Sequence, residues 1–444
     1  MILNAMWASV LRTRHDDRAM PADLRAIFVR LYWDIAWFGI VAGSSQAFLG
    51  VYVARLGATP LQLGLLSAGP ALVGLAFTLP VGHWLAARPV GRAVFWSAVW
   101  SRIHFLWWVF LPVLMDSQAQ IWSYVALVLV MTVPGTLLAV GFNALYAAAV
   151  PLEWRAQVAG TRNALLALVY VVTSLVSGLI LNHMPLTLGY QIIFAMGFVG
   201  AVMSTYQLWC LRHVTTAAIR EPEKIRSSIG DLARPGDVRM MGLTLRTNVG
   251  LRAFTRGAHL LRLGVLRGSY GRIVAALFVF HFAQYLPLPV FPLFWVGHLH
   301  FSDWEIGLGT AAFHGMVLVG SLYMARLAHA WGNRKLTALG ALLLSSYPLL
   351  TAFTPNLTVY IITSLLGGGA WAMVAGALGN YMLERAPEAD RPAALAWYNL
   401  ALNAAILSGS LLGSALAGWI GLVPALLVGA LLRGLSGLAI WRWR

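Results

Sequence analysis

Charged side chains are scarce in this sequence, since Asp, Glu, Lys and Arg make up only 10% of its 444 residues. A typical soluble domain carries about 25% charged residues, so this scarcity argues against a soluble fold. Hydrophobic residues reach 59%, and the mean hydropathy is +0.74. Apolar stretches of about 20 residues, the length of a membrane-spanning helix, recur along the whole chain. The composition therefore indicates a multi-pass helical membrane protein.

Cysteine and the common catalytic signatures are also missing. Cys210 is the only cysteine, which excludes an intramolecular disulfide. The sequence has no phosphate-binding loop for ATP hydrolysis and no His, Cys and acidic cluster with metal-ligand spacing. It also has no nucleophile that can be placed with a base on one side of a membrane. We therefore expect a protein that is not an enzyme and that uses no metal or cofactor.

The apolar stretches predict twelve membrane spans, each long enough to cross a hydrocarbon layer of roughly 30 Å. The longest segment between spans, 212–271, separates a six-helix bundle at 31–211 from a second at 272–444. An N-terminal segment at 1–30 precedes them. Its charges follow a weak apolar start, which is the wrong order for a signal peptide and is compatible with a short interfacial helix. The predicted spans are 31–54, 62–85, 93–115, 120–147, 158–182, 189–210, 273–297, 304–325, 337–354, 358–383, 394–418 and 423–441.

Basic residues are distributed very unevenly between the two predicted sides of the membrane. With the N-terminus in the cytoplasm, 28 of the 31 Lys and Arg lie in cytoplasmic segments, Arg155 and Arg162 among them. Only Arg55 lies in an outer loop, and Arg102 and Arg433 fall within spans. The positive-inside rule then predicts cytoplasmic termini and a location in the cytoplasmic membrane. This distribution explains the net charge of +16 without a nucleic-acid partner.

The later part of the central loop, residues 240–271, mixes Arg252, Arg256, Arg262 and Arg267 with Leu and Phe. Such a mixture predicts a basic amphipathic helix that lies on the anionic lipids of the inner leaflet. A solvated basic linker is the alternative. We expect the protein to be a monomer.

The two predicted halves share short sequence similarities that indicate an internal repeat. Residues 48–69 align with 291–312 at an offset of 243, and residues 151–168 align with 387–404 at an offset of 236. The identities in the first alignment are Phe48/Phe291, Val53/Val296, Leu56/Leu299, Gly64/Gly307, Leu65/Leu308 and Ala68/Ala311. Those in the second include Pro151/Pro387, Arg155/Arg391, Asn163/Asn399 and Leu166/Leu402. Two related six-span halves are typical of one large class of transporters, whose substrate path lies between the halves.

The first alignment also contains the same helix-start chemistry twice. Thr59 is followed three residues later by Gln62, and Ser302 is followed by Glu305. Both pairs are capping-box sequences, in which the side chains satisfy the free N–H groups of a helix start. They predict that spans 2 and 8 each begin directly after a short turn on the outer side.

The twelve spans, the long central loop and the outer turn "LGATPLQLGLL" resemble those of the major facilitator superfamily over nearly the whole chain. The family signature after span 2 is Gly-x-x-x-Asp-Arg-x-Gly-Arg-Arg. The corresponding segment here is "GHWLAARPVGR", with Gly82 and Arg92 retained and with Ala86 and Ala87 in place of the acidic and basic pair. Because the acidic residue helps to close the inner gate in the family, this chain must close that gate differently or less tightly.

The second copy of the signature is "ARLAHAWGNRK", which retains Gly332, Arg334 and Lys335 and has His329 where the acid would stand. The resemblance implies an all-α integral membrane protein, with twelve helices in two six-helix bundles related by the repeat. It also implies the residues of an inside-gate motif. These are Gly82, Arg92, Arg155, Gly332, Arg334, Lys335 and Arg391.

The function implied by this resemblance is secondary active or facilitative transport of a small organic solute by alternating access. A proton-coupled exporter of drugs or amphiphiles is one alternative, although span 5 lacks the Gly-Pro signature typical of antiporters in the family. A non-transporting protein of the same fold, such as a pigment-delivery or assembly factor, is the other.

Polar residues within spans are functional candidates, because they are costly in lipid. The resemblance implies that spans 1, 4, 7 and 10 line the cavity. In span 7, His281, Gln284 and Tyr285 share one helix face, and the three prolines that follow are predicted to interrupt the helix. A histidine satisfied by a neighbouring helix is the alternative interpretation of His281. The other predicted cavity residues are Gln46, Thr132, Asn143, Trp371 and Asn380.

Three charged residues are predicted within spans. Asp34 lies in span 1 and is interpreted either as a proton or cation site or as a structural charge. Arg102 lies roughly 15 Å along the helix from Arg92, where it would bind an anionic group or pair with Asp34. Arg433 in span 12 is predicted to be structural, with its side chain snorkelling part of the way to the surface.

Overall fold

The computed structural model describes residues 22–86, 88–214, 262–387 and 390–442. These residues are almost entirely helical, and twelve of their helices are long and apolar enough to cross a membrane. The all-α fold class and the predicted number of spans are therefore confirmed.

The first half contains six spans, of which spans 1 and 3 are interrupted. Their bounds are span 1 (Ala22–Val41 and Ala47–Arg55, joined by a π-helical turn at Ala42–Gln46), span 2 (Pro60–Ala86), span 3 (Val90–Arg102 and His104–Leu114), span 4 (Ser117–Ala149), span 5 (Leu152–His183) and span 6 (Leu186–Cys210).

The second half contains the remaining six, of which spans 7 and 9 are interrupted. Their bounds are span 7 (Ser269–Tyr285, Val290–Leu293 and a π-helical turn at Phe294–His298), span 8 (Asp303–Trp331), span 9 (Asn333–Leu344 and Ser346–Ala352), span 10 (Leu357–Arg385), span 11 (Arg391–Ile420) and span 12 (Leu422–Arg442).

Most helices extend a few residues beyond the predicted spans, because flanking polar residues continue the helix outside the apolar stretch. Span 8 continues to Trp331 and ends at Gly332, whose φ of 78° is a conformation that favours glycine. The predicted interruption of span 7 is confirmed, since its first helix ends at Tyr285, directly before the proline-rich segment.

Most of the predicted amphipathic helix in the central loop, residues 240–261, lies outside the described residues, as do residues 1–21 and Ala87. The described end of the loop differs from the prediction. Leu263–Leu266 form a 3₁₀ turn rather than part of a long α-helix. Arg262 contacts Asp390 at 2.8 Å instead of facing away from the protein, because the chain must turn there to enter span 7.

The two halves meet along two helix pairs, spans 5 with 8 and spans 2 with 11, which we call the 5/8 interface and the 2/11 interface. We also distinguish two ends of the bundle. The Arg55 end contains the connections 56–59 and 299–302, and the Arg155 end contains the connections 150–151 and 386–390.

Small residues bring the helices of both interfaces close together near the Arg55 end. In the 5/8 interface, a Cβ added to Gly307 would lie 3.3 Å from the Cα of Gly178. In the 2/11 interface, a Cβ added to Gly64 would lie 2.7 Å from the Cβ of Ser414. The repeat offsets of 243 and 236 relate Gly64 to Gly307 and Gly178 to Ser414. The same close contact is therefore built twice, once in each interface.

Towards the Arg155 end, the same interfaces have open space. A Cβ added to Gly160 in span 5 would meet no atom within 4 Å, and Gly160 is exposed. Its equivalent in the repeat, Ala396, lines a cleft between spans 2 and 11. The two halves thus pack closely at the Arg55 end and separate towards the Arg155 end.

Both predicted capping boxes are confirmed. Thr59 N–H donates to Gln62 Oε1 at 2.8 Å, and Gln62 N–H donates to Thr59 Oγ1 at 3.4 Å. Ser302 N–H donates to Glu305 Oε2 at 2.8 Å, and Glu305 N–H donates to Ser302 Oγ at 3.3 Å. Spans 2 and 8 therefore begin with satisfied N–H groups, as the repeat predicts.

We expect Ser302→Ala to lower the free energy of unfolding by about 1 kcal/mol, because Glu305 N–H loses its acceptor. The measurement is thermal unfolding of the detergent-purified protein. Ser321→Ala is the matched control, since that exposed hydroxyl donates only to the Leu318 carbonyl of its own helix. Equal apparent Tm values for the two variants would contradict the assigned cap.

Candidate functional site

An ion pair joins the two halves at the Arg55 end. Arg55 Nε lies 2.8 Å from Asp303 Oδ1, and Arg55 Nη2 donates to the Phe301 carbonyl at 2.7 Å. Tyr190 in span 6 also donates to Asp303 Oδ1, at 3.1 Å. Arg55 and Tyr190 belong to the first half and Asp303 to the second. These polar contacts therefore hold the two halves together at this end.

The ion pair is largely shielded from solvent. The Asp303 side chain is 8% exposed and that of Arg55 is 22% exposed. Beside it, Val51 of the first half packs in one apolar cluster with Phe301 and Tyr360 of the second. A shielded, hydrogen-bonded pair is costly to break, because the remaining partner is left buried without its counter-charge.

Sequence reasoning missed this ion pair. It counted Arg55 only as the single outer-loop cation, and it treated Asp303 only as part of a helix start. One signal was available, because the two residues flank the aligned outer turns of the two halves. Nothing in the sequence showed that these turns lie side by side.

A second charged cluster is buried inside the first half. Asp34 is 2% exposed and accepts a hydrogen bond from Ser204 at 2.6 Å. Its other carboxylate oxygen lies 3.3 Å from Arg162 Nη2, and Arg102 Nη2 lies 4.0 Å from Oδ1. Arg102 also donates to Thr205 at 2.9 Å. One carboxylate thus stands between two buried guanidinium groups.

The cluster agrees with one sequence interpretation and corrects another. Arg102 approaches Asp34, as the structural interpretation of both residues expects. Arg162, in contrast, was assigned to a cytoplasmic segment and is 6% exposed inside the bundle, where it also donates to the Leu31 carbonyl at 2.6 Å. The error arose because span 5 begins at Leu152, so that Arg162 lies about 15 Å along the helix.

Arg433 is buried inside the second half rather than snorkelling, which corrects the prediction. It is 1% exposed and donates to the carbonyls of Ala283 at 3.3 Å, Gln284 at 2.7 Å and Leu344 at 3.4 Å. The carbonyl of Ala283 would normally accept from residue 287, but Pro287 has no N–H group. The interruption of span 7 therefore leaves carbonyls that need a donor in lipid, and Arg433 supplies it.

The predicted span 7 cluster is not gathered on one open surface. His281 is 2% exposed, and its Nε2 lies 3.0 Å from the Tyr398 hydroxyl of span 11. This contact corresponds to the alternative interpretation, a histidine satisfied by a neighbouring helix. Tyr285 is 8% exposed within the apolar core, whereas Gln284 is half-buried.

The other predicted cavity residues lie in spans 1, 4 and 10, and all of them are half-buried. The Thr132 hydroxyl donates to the Val128 carbonyl of its own helix at 2.6 Å. The half-buried residues are Gln46, Thr132, Asn143, Trp371 and Asn380.

The predicted inside-gate residues lie at the Arg155 end. Arg155 donates to the carbonyls of Val150 at 3.0 Å and Ala147 at 2.6 Å, which caps the end of span 4. Arg334 donates to the Trp441 carbonyl at 3.3 Å. Each of these contacts stays within one half. Of the others, Gly82 is buried, Arg391 is half-buried, and Arg92, Gly332 and Lys335 are exposed.

Two aromatic rings meet between the halves near mid-depth. Tyr170 of span 5 and His314 of span 8 have ring centroids 4.1 Å apart. Neither residue was predicted as a candidate, because the cavity was expected to be lined by spans 1, 4, 7 and 10.

The open part of the 2/11 interface forms a narrow cleft that is partly open to solvent. The Asn403 side chain donates to the Asn399 carbonyl at 2.8 Å, and the Thr78 hydroxyl donates to the Gly74 carbonyl. The sequence marked Asn399 only as a repeated position. The cleft is lined by Gly74, Thr78, Leu79, Ala396, Asn399, Leu400 and Asn403.

Comparison of the sequence with known proteins matches parts of the chain. Residues 273–444 match the family model of the Major Facilitator Superfamily. Over 147 residues, the chain is 24% identical to Multidrug resistance protein 2 of Bacillus subtilis (strain 168). That alignment covers 33% of this chain and 36% of the relative, so the chain spans little more than a third of the relative's length.

Comparison of the fold covers nearly the whole chain. A bacterial homologue of the iron transporter ferroportin, in an inward-facing state, superposes with a TM-score of 0.67 at 13% identity and covers 94% of this chain and 98% of its own. The xylose transporter XylE from E. coli, partially occluded and inward open, gives 0.65 at 15% identity over 95% and 97%. The nucleoside transporter NupG gives 0.62 at 11% identity over 95% and 100%.

We expect Asp34→Asn to lower the free energy of unfolding by about 3–5 kcal/mol, because two buried guanidinium groups lose their counter-charge. Thermal unfolding of the purified protein measures this loss. The control is Asp390→Asn, which removes the acid of a pair whose side chains are 60% and 33% exposed and should cost less than about 1 kcal/mol. Similar small losses for both variants would show that the Asp34 cluster is not structural.

Proposed function

Because residues 273–444 match the family model of the Major Facilitator Superfamily and the fold resembles that of known transporters over nearly the whole chain, we propose that the protein is a member of that superfamily and a secondary active or facilitative transporter of a small organic solute. The solute would cross between the two halves by alternating access. The observation that carries this proposal is the unequal packing of the two interfaces. They are tightly packed at the Arg55 end and open at the Arg155 end, so a solute has access from one side only.

The contacts at the Arg55 end are suited to reversible separation. Glycine and serine give both interfaces smooth surfaces, on which helices can part without side chains that interlock. One ion pair adds a polar contact that must be exchanged when this end opens. Such an arrangement favours two discrete states of the halves over a permanently fused bundle.

The orientation follows from the charge distribution and forms part of the proposal. With both termini in the cytoplasm, the Arg155 end faces the cytoplasm and the open cleft is inward-facing. The cytoplasmic membrane is the proposed location.

We further infer that Asp34 is not a proton carrier. Its carboxylate neutralises Arg102 and Arg162, and its protonation would leave two buried positive charges without a partner. A proton-coupled exporter of drugs or amphiphiles is the second candidate, favoured by the partial similarity to Multidrug resistance protein 2. Such coupling would need a different titrating group.

Alternating access predicts that a substitution which opens the Arg55 end closes the Arg155 end. In a Cys210→Ala background, Val51→Cys reports on the Arg55 end, where Val51 is 1% exposed. Gly160→Cys reports on the open end. We expect Arg55→Gln to raise maleimide labelling of the first reporter about tenfold, because the lost ion pair contributes at least about 1.4 kcal/mol to closure. Labelling of the second reporter should fall at the same time.

Arg25→Gln is the control for this experiment, because it removes an exposed cation at the other end and should change neither labelling rate. Faster labelling of Val51→Cys with no change at Gly160→Cys would mean that the Arg55 end opens locally while the Arg155 end does not close. That result would contradict alternating access and favour a non-transporting protein of this fold.

The coupling inference has its own test. We expect the ratio of labelling at the two reporters to stay constant between about pH 6 and pH 8, after correction with Gly57→Cys in the exposed turn for thiol ionisation. A reciprocal change of the two reporters with pH would instead support a proton-driven exporter.

A further inference from the structure

Spans 3 and 6 of the first half pack side by side, and contacts at two depths fix the line along which they meet, which we call the 3/6 seam. At the Arg155 end, a Cβ added to Gly91 would lie 2.5 Å from the Arg212 carbonyl oxygen. Further inside, Arg102 donates to the Thr205 hydroxyl at 2.9 Å. The buried cluster of Asp34 closes the inner side of the seam. Exposed residues beside these contacts therefore face outward, away from the bundle.

An exposed row of span 3 runs along the outer side of the seam. Arg92, Trp96 and Trp100 follow one another at intervals of four residues, so they lie on one helix face. Arg92 is exposed, and both indoles are 58% exposed. At 1.5 Å per residue, Trp96 lies about 9 Å and Trp100 about 15 Å along the helix from Val90, where the span begins. A cation at the Arg155 end is thus followed by an aromatic wall that leads inward.

Span 6 provides a second exposed row on the other side of the seam. Tyr206 and Trp209 are both exposed, and their ring centroids lie 6.1 Å apart. The Cζ atom of Arg212 lies 3.8 Å from the centroid of the Trp209 ring, and its Nη1 donates to the Trp209 carbonyl at 2.9 Å. Stacking on the indole and this hydrogen bond hold the guanidinium in place. It therefore needs little further ordering to bind an anion.

The two cations at the Arg155 end of the seam have no acidic partner among the described residues. The ion pairs of this part of the chain use the carboxylates of Asp34, Asp303 and Asp390, and none of them includes Arg92 or Arg212. A guanidinium group matches the geometry of a phosphate and binds it through charge-assisted hydrogen bonds. The end of the seam therefore has the charge and the donors that a phosphate requires.

The usual aromatic belt of membrane proteins does not account for the span 3 row. Tryptophan is enriched at the membrane surface, whereas Trp100 lies about 15 Å along the helix. The second half offers a comparison, because an offset of 243 places Lys335, Leu339 and Leu343 at the positions of the span 3 row. The repeat keeps the cation and replaces both indoles. The combination of cation and aromatic wall is therefore a property of the first half alone.

A phospholipid matches both features of the seam with one molecule. Its phosphate lies at the membrane surface and its acyl chains run into the hydrocarbon layer, in the direction from the cations to the indoles. A zwitterionic headgroup would bring an ammonium group beside two guanidinium groups, which repel it. A headgroup with a net negative charge avoids that repulsion, and basic pockets between membrane helices are typical sites for such lipids.

We propose that the outer side of the 3/6 seam is a binding site for one anionic phospholipid whose headgroup alcohol is uncharged, as in phosphatidylglycerol. Arg92 and Arg212 bind its phosphate, and Trp96 and Trp100 contact an acyl chain. The site lies within the first half and outside both the 5/8 and the 2/11 interface. It goes beyond the proposed transport function and does not depend on it.

The test uses detergent-purified full-length protein. Native mass spectrometry gives the number of bound lipids, and titration gives the Kd. The probes are dioleoyl-phosphatidylglycerol, dioleoyl-phosphatidylethanolamine, glycerophosphoglycerol and inorganic phosphate. We expect one phosphatidylglycerol to bind with a Kd about tenfold or more below that of phosphatidylethanolamine, because only the first has a net negative charge. Glycerophosphoglycerol and phosphate, which lack acyl chains, should not displace it at up to about 1 mM, since they forgo the apolar contacts.

Paired arginine variants test the phosphate contacts. Arg92→Gln combined with Arg212→Gln should weaken the binding of phosphatidylglycerol about tenfold or more, because two charge-assisted contacts are lost. The matched control combines Arg272→Gln with Arg326→Gln, which removes two exposed cations from spans 7 and 8 near the same end. The control should change the Kd by less than about twofold, because screened charges away from the site contribute little. The apparent Tm of each variant without lipid verifies that it folds.

Tryptophan variants test the acyl-chain contact. Trp96→Leu combined with Trp100→Leu should raise the Kd about threefold or more, because the chain loses apolar contact area. Trp107→Leu is the control. Trp107 is 52% exposed on the same helix face but lies about 25 Å along the helix from Val90, so its replacement should leave the Kd unchanged.

Four results would overturn the inference. Equal affinity for phosphatidylglycerol and phosphatidylethanolamine would show that the headgroup charge is not recognised. Displacement by glycerophosphoglycerol or by phosphate at the concentrations at which phosphatidylglycerol binds would mean a general anion site. Equal losses in the two arginine pairs would mean attraction to the overall surface charge. An unchanged Kd in the Trp96 and Trp100 double variant would mean that no acyl chain lies on the aromatic wall.

Discussion

A bilayer interior offers no water to a charge or to a free carbonyl group, so each must find its partner within the protein. That constraint accounts for the buried chemistry of both halves. In the first half, Asp34 is surrounded by Arg102, Arg162 and hydroxyl groups. In the second, Arg433 satisfies carbonyls left free where Pro287 interrupts span 7. These buried charges are thus confined within one bundle each, and the residues that line the cleft between the bundles carry no charge.

The two interfaces obey a different requirement, which is close approach without interlocking. Gly64 and Gly307 meet small residues of the opposite half, and the sequence repeat relates one contact to the other. Towards the Arg155 end the halves separate and the cleft begins. Packing at one end and access at the other are therefore two results of the same helix geometry.

Much of the fold followed from the sequence, because span length, basic-residue bias and capping boxes are local signals. The pair Thr59 and Gln62 shows this, since its hydrogen bonds form within three residues. The candidate site followed only in part. Arg55 and Asp303 are 248 positions apart, and their meeting depends on how the halves dock. Arg162 was misplaced because a helix extends beyond its apolar stretch, and Asn403 carries no pattern of its own.

The Arg55–Asp303 ion pair makes the two interfaces unequal despite the repeat that built them. At an offset of 243, the position of Arg55 corresponds to His298 and that of Asp303 corresponds to Pro60. The 2/11 interface therefore has no carboxylate at the position where the 5/8 interface has one. The ion pair therefore adds a charged contact at the start of span 8 that has no counterpart at the start of span 2. A single pair of side chains that the two copies of the repeat do not share thus breaks the symmetry between the two interfaces.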